Sequence, residues 1–542
     1  MLIMRRLLPA VLALALFALN NLAVLSGWLA TPDGYVHLLK VDAADNAIYT
    51  SWLRSSQDRF LHPNFDAPWV TEPAVFQPLM VFIARLAPLV GLSLDWGFFL
   101  TQVVLYILGA YALFAAVRLF MPTSRQRWAA LGVMLLAVPI PSLLVLPSLL
   151  LPLEKLGIPP MPGVGFFVWN TSDGFLHGMF GSILVTYGTA ATIASFAFLA
   201  AYMRTEKWAY LIGASATVFV CGLVHPYEPF LICAAGCIAL VLWRGTNWRR
   251  SVPEVAMLGI SGALGVAPLS YLALSTPWVR DAADITRWDP PNPAVLLVSL
   301  GVPAVVAVLL FWARRRMASP TDLLLQCWVA CTLIGIYLPF IPWTQHFLDG
   351  FHYAVAMLVV RQIALTPFVA RTWAQHRRLG TAAAAALVLL SLSAYPAYYW
   401  LSWKDGRSPT PERLFRSVIP AEDLATRDWL TENATYSDLV LAPVPRATWF
   451  STVPMHSFAG NRLFSITFEE QRTLSDDFFA GRMSAEQADR FLSDYGVRWV
   501  VLPSDSPMRT TLPRGKERVR FGSWTVLDFE GNKMKPYPGM PR

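Results

Sequence analysis

The stretch Val41-Asp42-Ala43-Ala44-Asp45-Asn46-Ala47-Ile48-Tyr49 places two aspartates shortly after an apolar run from about 7 to 30. That run is long enough to cross a bilayer, which takes about 20 apolar residues in a helix. Carboxylates where a chain leaves the hydrocarbon core, in a protein with few charges, indicate chemistry at the boundary between membrane and water. A capping carboxylate at the start of an interfacial helix is the alternative explanation.

The composition places the whole chain in a membrane. Of its 542 residues, 55% are hydrophobic and 14% are charged, and the mean hydropathy is +0.46. Soluble domains are about a quarter charged, so the chain is predicted to be an integral membrane protein. The net charge of +8 resides in short loops between apolar segments. Such a distribution indicates topology rather than a binding surface for nucleic acid.

Apolar segments of suitable length predict a polytopic α-helical membrane protein with about eleven transmembrane helices. The predicted spans are approximately 7–30, 97–119, 128–151, 182–203, 208–224, 229–243, 254–275, 293–313, 323–341, 352–370 and 380–400. The segment 76–92 is also apolar, but it is short and contains Pro78 and Pro88. It is predicted to form an interfacial or re-entrant helix. The first span lacks a clear cleavage site and is expected to stay attached.

With these spans, the basic residues gather on one side of the membrane. This set comprises Arg5, Arg6, Arg125, Arg127, Arg204, Lys207, Arg244, Arg249, Arg250, Arg314, Arg315, Arg316, Arg371, Arg377 and Arg378. The positive-inside rule puts them and the N-terminus in the cytoplasm. Acids and histidines gather on the other side, which predicts chemistry at the outer face. The compact loops suggest a bacterial cytoplasmic (inner) membrane.

Beyond about residue 400 the pattern becomes that of a soluble domain. Helices are predicted over 421–433 and around 484–495, and buried strands over 438–442, 497–502 and 524–527. This alternation predicts a small α/β domain over 401–542, which the topology places outside the cytoplasm. Residues 1–400 would form the transmembrane module, with 31–96 as its outer loop and juxtamembrane helices.

The first outer loop carries the most specific motif. If the loop is helical, Asp42, Asp45 and Tyr49 share one face. Asp45-Asn46-x-x-Tyr49, placed after a first span, resembles the Asp-Glu-x-x-Tyr stretch of the GT-C glycosyltransferases. In that family the first aspartate is the catalytic base, so the resemblance implies this role for Asp45. Asn46 stands in place of the family's second acid, and Asp42 is the residue proposed to substitute for it.

Other segments extend the resemblance to the GT-C plan. Glu72-Pro73-x-x-Phe76-Gln77-Pro78-Leu79 is similar to the family's proline-bearing juxtamembrane helix. Gln345-His346-Phe347, followed by Gly350-Phe351-His352, is similar to a late outer-loop motif of bacterial members. A multi-span module with a C-terminal extracytoplasmic α/β domain matches the family's overall architecture. The resemblance therefore covers nearly the whole chain.

Cations are needed wherever the leaving group is a lipid phosphate. Lys40, Arg54 and Arg280 are candidates, but Arg287 and Arg361 are the preferred ones. Arg361 falls inside a span, where a charge is costly and indicates function. Its alternative role is a structural ion pair with an acid such as Asp349, and that of Arg287 is a solvated loop cation.

Histidines and acids at the span ends are further candidate site residues. In His225-Pro226-Tyr227-Glu228-Pro229, two prolines break the helix and put His225 and Glu228 at the mouth of a cavity. A helix-end cap with a buried histidine is the alternative. His177, near Trp169-Asn170-Thr171-Ser172-Asp173-Gly174, is a similar case. Sets of this kind could hold Mg²⁺ or Mn²⁺, but no ligand spacing is diagnostic.

The sequence thus predicts a membrane glycosyltransferase that moves a sugar from a polyprenyl-phosphate donor to an envelope glycan, lipid or protein at the outer face, with inversion. Asp45 would be the base, assisted by Asp42. The predicted substrate-binding residues are Tyr49, Glu72, His177, His225, Glu228, Arg287, His352 and Arg361. Two alternatives stay open: a transporter or flippase of lipid-linked glycans, and a non-catalytic subunit of envelope assembly.

Overall fold

The computed structural model describes residues 2–39, 44–62, 75–136, 183–276, 319–339, 343–366, 417–444, 455–460 and 468–535, with a few single residues between these ranges. The chain forms two compact units. The helical unit consists of residues Met1–Asn20, Gln102–Pro268 and Trp288–Leu401. The mixed unit consists of Asn21–Thr101, Leu269–Arg287 and Ser402–Arg542.

Helices make up most of the described chain. In chain order they are α1 Leu2–Asn20, α2 Leu22–Leu29, α3 Ala44–Ser55, α4 Pro78–Leu89, α5 Leu94–Phe120, α6 Ser124–Leu136, α7 Ile183–Thr205, α8 Trp208–Val224, α9 Glu228–Arg244, α10 Trp248–Ser275, α11 Pro320–Gly335, α12 Phe351–Leu365, α13 Ala421–Asn433, α14 Phe468–Phe479, α15 Ala485–Tyr495 and α16 Met508–Thr511. The 3₁₀ helices Gly245–Asn247 and Thr344–Leu348 also lie in the described part of the chain.

Among the described residues, three helical stretches are long and apolar enough to cross a membrane: Leu94–Phe120, Ile183–Thr205 and Glu228–Ser275. A fourth is possible if the bent pair Leu7–Leu19 and Leu22–Leu29 forms one span. This bent pair coincides with the span predicted over 7–30, and its break at Asn20-Asn21 falls on two residues with low helix propensity. The predicted spans 293–313 and 380–400 lie almost wholly outside the described residues, so eleven spans stay a prediction.

Helix α4 begins at Pro78, a favourable first position for proline. Its 12 residues extend about 18 Å, well short of the roughly 30 Å hydrocarbon core. The length agrees with the short helix predicted for 76–92.

Within the helical unit, α8 and α10 approach each other closely at two glycines. A Cβ on Gly265 would lie 2.5 Å from the backbone oxygen of Phe219, and one on Gly222 would lie 2.7 Å from the backbone carbon of Gly265. Small residues at such contacts let membrane helices pack backbone to backbone. These two glycines therefore set how closely the helices pack.

Gly265→Ala is expected to destabilise the protein by about 1–3 kcal/mol, because the added methyl meets backbone that cannot move without shifting a helix. Thermal melting in detergent measures the effect. Gly259→Ala on the same helix is the matched control, since a Cβ there meets nothing within 4 Å. Equal melting temperatures for the two variants would show that α8 and α10 are not held by this contact.

The mixed unit contains a five-stranded sheet. Its strands, in spatial order, are β6 His456–Phe458, β5 Leu439–Leu441, β7 Trp499–Pro503, β9 Trp524–Asp528 and β8 Lys516–Phe521. The first three run parallel and the last two join antiparallel. Helix α15 begins with a capping box formed by Ser484 and Gln487. Helices and strands alternate along the described residues of 417–535.

Two further strand pairs lie in the mixed unit. Strand β1 (Tyr35–His37) pairs antiparallel with β4 (Val418–Pro420), and β2 (Leu61–His62) pairs with β3 (Val75–Phe76). The first of these pairs joins the first outer loop to the C-terminal segment. Residues 31–96, assigned from the sequence to the transmembrane module, lie in the same compact unit as the C-terminal segment, apart from those outside the described ranges.

His62 is buried between two hydroxyls, with Ser55 Oγ at 2.6 Å from Nδ1 and Ser56 Oγ at 3.2 Å from Nε2. Burial lowers the pKa of His62 from 6.5 to about 4. The unfolded chain therefore takes up a proton at a higher pH than the folded one. The stability that depends on neutral His62 is fully present above pH 6.5 and is lost as the pH falls towards 4.

We expect the wild type to lose about 1–3 kcal/mol more stability than His62→Gln between pH 7 and pH 4.5. Glutamine can still bond the two serines but does not titrate in this range. Parallel melting curves of both proteins against pH measure the difference. Curves that stay parallel throughout would contradict the burial of an uncharged imidazole.

Candidate functional site

The predicted base lies on a helix. Asp45 is in the first turn of α3, and Tyr49 follows one turn later with its ring 5.6 Å from that of Trp52. Asp42, Glu72, His177 and Arg287 lie outside the described residues. Their roles stay predictions.

A separate polar cluster lies in the helical unit, where α8 ends and α9 begins. His225 follows the last residue of α8, and Glu228 is the first residue of α9. Pro226 and Pro229 break the helix here, as predicted. The imidazole Nδ1 of His225 and Oε1 of Glu228 are 2.6 Å apart, and the two residues are 5% and 0% exposed.

A second connector supplies the other half of the cluster. His346 lies in the 3₁₀ helix Thr344–Leu348, and its Nδ1 is 3.1 Å from Oδ2 of Asp349. The ring of His346 stacks on Tyr227 at 4.6 Å and meets the His225 ring edge-on at 4.7 Å. The α8–α9 and α11–α12 connectors therefore meet at one end of the helical unit. Both had been predicted on the same face of the membrane.

Helix α7 forms a wall of this cluster. A Cβ on Gly188 would collide with Oε1 of Glu228 and would lie 2.9 Å from Nδ1 of His225. A glycine is needed for the helix to pass so close to the two side chains. The cluster is thus enclosed by a helix as well as by its two connectors.

Burial decides the charge on the connector residues. It lowers the pKa of His225 to about 4, although nearby Asp349 opposes the effect. It also raises the pKa of Asp349, and the hydrogen bond with His346 opposes that shift. His225 is therefore a neutral imidazole near pH 7. It can accept a proton, bond a hydroxyl or bind a metal ion.

Among the described residues, His225, His346 and Asp349 are a group that could hold a metal ion, since one ligand atom from each lies within 4.8 Å of the others. His352 was predicted from the same motif as His346. It lies in the first turn of α12, with its ring 3.8 Å from that of Tyr353.

Arg361 has a structural partner that the sequence did not identify. Its Nε is 2.7 Å from Oδ1 of Asp322, and its Nη2 is 3.1 Å from Oδ2 of the same carboxylate. Both residues are largely buried. Arg361 is also ten residues beyond Phe351 on α12, or about 15 Å along the helix. The ion pair given as the alternative role of Arg361 is present, with Asp322 as its acid.

Sequence reasoning singled out His225 and Glu228 but not the residues that meet them. His346 was noted as part of a late outer-loop motif and Asp349 as an alternative partner of Arg361, but neither was placed beside His225, and Tyr227 was not considered. One signal could have found the set: His-x-x-Glu and His-x-x-Asp occur once each, in two connectors assigned to the same face. This repeated spacing puts an acid within reach of each imidazole.

Comparison with solved structures identifies the class of fold. Over 99% of its length the chain is similar to the arabinofuranosyltransferase AftD from Mycobacteria, with a TM-score of 0.54 and 15% identity. It spans only 40% of that enzyme's length. Over 92% of its length it is similar to the oligosaccharyltransferase of Archaeoglobus fulgidus, with a TM-score of 0.53 and 11% identity, and it spans 69% of that chain.

The chain therefore has a GT-C-like fold, which confirms the resemblance found in the sequence. Its apolar helices are typical of a membrane-embedded protein. No family model matches the chain, and no curated protein sequence matches it.

Proposed function

We propose that the chain is a membrane glycosyltransferase that moves a sugar from a polyprenyl-phosphate donor to a cell-envelope glycan, lipid or protein. The observation that carries this proposal is the GT-C-like fold over nearly the whole chain. One similar structure is an arabinofuranosyltransferase, and the other is an oligosaccharyltransferase tethered to an acceptor peptide. The reaction would take place at the outer face of a bacterial inner membrane, with the N-terminus in the cytoplasm.

Asp45 is the proposed base. A carboxylate within hydrogen-bond reach of the acceptor hydroxyl can take its proton as the sugar is transferred. Direct displacement of the lipid phosphate by that hydroxyl inverts the anomeric centre. Asp42 would orient Asp45 or substitute for it, and Tyr49 and Glu72 would contact substrate.

The departing lipid phosphate needs positive charge or hydrogen-bond donors. Arg287 is the proposed cation, since Arg361 is bonded to Asp322. His225 and Glu228 belong to a buried polar cluster in an otherwise apolar helical unit, an arrangement that favours a role with substrate. His177 and His352 stay proposed substrate contacts.

The mixed unit offers a place for a sugar acceptor. A cavity of about 320 Å³ is lined by apolar side chains and by His37, Asp95, Trp96, Arg427 and Asp428. An aromatic face beside paired donors and acceptors suits a saccharide, because the ring packs on the apolar face of the sugar while hydroxyls bond the polar groups. This chemistry supports acceptor binding as the task of the unit.

Trp96→Ala is expected to raise the KM for the acceptor by about 5–10-fold, equivalent to about 1 kcal/mol of lost contact, while the KM for the donor stays unchanged. Initial rates at varied acceptor and fixed donor concentration measure it. Trp128→Ala, which removes an exposed tryptophan of the helical unit, is the control. A change in donor KM alone would assign the cavity to the donor.

The proposed function is tested with the purified full-length chain in detergent. Radiolabelled polyprenyl-phosphate pentoses and hexoses are incubated with envelope extracts, and label is followed from the organic phase into glycan, lipid and protein fractions. Transfer with one donor supports the proposal, and the labelled fraction identifies the acceptor class. Absence of transfer from the whole panel would overturn it. Movement of intact donor across proteoliposomes, without cleavage of the sugar–phosphate bond, would show a flippase instead.

A further inference from the structure

We propose that His225, His346 and Asp349 bind a divalent first-row transition-metal ion, with Zn²⁺ bound more tightly than Mn²⁺. One ligand atom from each side chain lies within 4.8 Å of the other two. Three ligands around one ion, at about 2.1 Å each, are separated by about 3.4 Å in a tetrahedral site. The ligand atoms therefore need to approach one another by at most about 1.4 Å to hold an ion.

The donor set selects the class of metal. Mg²⁺ and Ca²⁺ prefer oxygen ligands, whereas two imidazoles and one carboxylate suit Mn²⁺, Fe²⁺, Co²⁺ and Zn²⁺. Among these ions the order of affinity for such a site places Zn²⁺ above Mn²⁺. Three protein ligands leave at least one coordination position for a water or a phosphate oxygen.

Glu228 holds the ring of His225 in place. Its hydrogen bond to Nδ1 leaves Nε2 as the ring nitrogen available to a metal ion. A histidine that binds a metal commonly bonds a carboxylate through its other nitrogen, which fixes the ring and raises its basicity. Glu228 is therefore a positioning residue rather than a ligand.

Neighbouring residues pack closely against the side chains of the cluster. Tyr227 stacks on His346, and the backbone of α7 at Gly188 leaves no space between itself and the Glu228–His225 pair. Two carboxylates, Glu228 and Asp349, are buried here, and each bonds a histidine ring, Glu228 that of His225 and Asp349 that of His346. Buried carboxylates are costly without a compensating cation, and a divalent ion would provide one.

A structural role for the cluster makes a different prediction. If the cluster only joins the two connectors by hydrogen bonds, it takes up no metal. Substitutions of its residues then alter only the stability of the protein. Metal binding itself does not depend on the proposed transferase activity. Use of the ion to hold a lipid phosphate would rest on that activity.

The test uses the full-length protein in detergent, stripped with a chelator and dialysed against Zn²⁺ in excess Mg²⁺. Metal content after gel filtration gives the stoichiometry, titration calorimetry gives the affinity, and the Co²⁺ absorption spectrum reports the ligand geometry. The wild type is expected to bind a single Zn²⁺ ion that excess Mg²⁺ does not displace. Bound ion should also raise the melting temperature.

Variants separate ligands from neighbours. His346→Asn and Asp349→Asn are expected to weaken Zn²⁺ binding by at least about 100-fold, and Glu228→Gln by about 10–100-fold. His346→Cys should keep Zn²⁺, since a thiolate is a good zinc ligand, and this shows that loss in the asparagine variant is not misfolding. His62→Gln, which removes a buried histidine of the mixed unit, should bind as the wild type does.

Three results would overturn the proposal: substoichiometric Zn²⁺ in the wild type, unchanged binding in His346→Asn and Asp349→Asn, or equal loss in the His62→Gln control. Zn²⁺ binding without sugar transfer from any donor would support the metal site while contradicting the proposed function. Transfer by protein that takes up no metal would do the reverse.

Discussion

Asp45→Asn is expected to lower the rate of sugar transfer by about 10²–10⁴-fold, the usual contribution of a general base. Asparagine keeps the size and hydrogen-bonding ability of the side chain but cannot take the proton of the acceptor hydroxyl. The base acts after both substrates are bound. The loss should therefore appear in kcat, with KM for donor and acceptor changed little.

The control removes a carboxylate from the same part of the chain without touching the motif. Asp58→Asn replaces an exposed aspartate a few residues beyond the end of α3 and is expected to transfer sugar at the wild-type rate. Rates are measured from initial label transfer at saturating donor. An Asp45→Asn enzyme that transfers as fast as the Asp58→Asn enzyme would remove Asp45 from the mechanism.

Asp42 can be distinguished from Asp45 by the same assay. If Asp42 substitutes for the acid that Asn46 replaces, Asp42→Asn lowers kcat less than Asp45→Asn. The double variant then loses little more than Asp45→Asn alone, because residues that act as one unit are not additive.

Local signals carried most of what the sequence could predict. Helix 421–433 is observed over Ala421–Asn433, and the helix predicted around 484–495 is observed over Ala485–Tyr495. The central strand predicted over 497–502 is observed over Trp499–Pro503. These elements are set by short-range features, namely apolar periodicity, a capping box and the glycine at 496 with φ of 70°.

Long-range pairing could not be predicted. Strand β1 has only three residues, and its partner β4 lies nearly 400 positions later, so no local pattern indicates the pair. The candidate site shows the same limit. His225 and Glu228 could be placed together because three residues separate them, whereas His346 reaches them only through the packing of helices.

The distribution of charged residues predicted one relation between distant parts of the chain. It assigned the α8–α9 and α11–α12 connectors to a common face, and the contact between their histidines agrees with that assignment. The same reasoning could not choose a partner for Arg361. Asp349 and Asp322 are both aspartates near helix ends, and only the packing of α12 against α11 brings Asp322 within 2.7 Å of the guanidinium.

Arg361→Met is expected to destabilise the protein by about 3–5 kcal/mol, because it removes both guanidinium hydrogen bonds from the buried Asp322 carboxylate. Asp322→Asn should also destabilise, since the guanidinium then loses its counter-charge. The double variant Arg361→Met with Asp322→Leu is expected to recover much of the loss, because apolar side chains of similar volume can replace a buried ion pair. Unfolding in detergent by denaturant titration measures all three, and Arg250→Met, at an exposed arginine of α10, is the control.

The double variant also decides between the two roles considered for Arg361. A structural ion pair predicts that the double variant folds and transfers sugar with an unchanged KM for the donor. A phosphate contact predicts that the restored fold still binds the lipid phosphate poorly, with a raised donor KM. The hydrogen bonds of Arg361 favour the structural ion pair. Its Nε and Nη2 both donate to the carboxylate of Asp322, which is the bidentate arrangement that an arginine would use for a phosphate. A phosphate could engage that face of the guanidinium only by displacing the buried Asp322 carboxylate from both of its hydrogen bonds with Arg361.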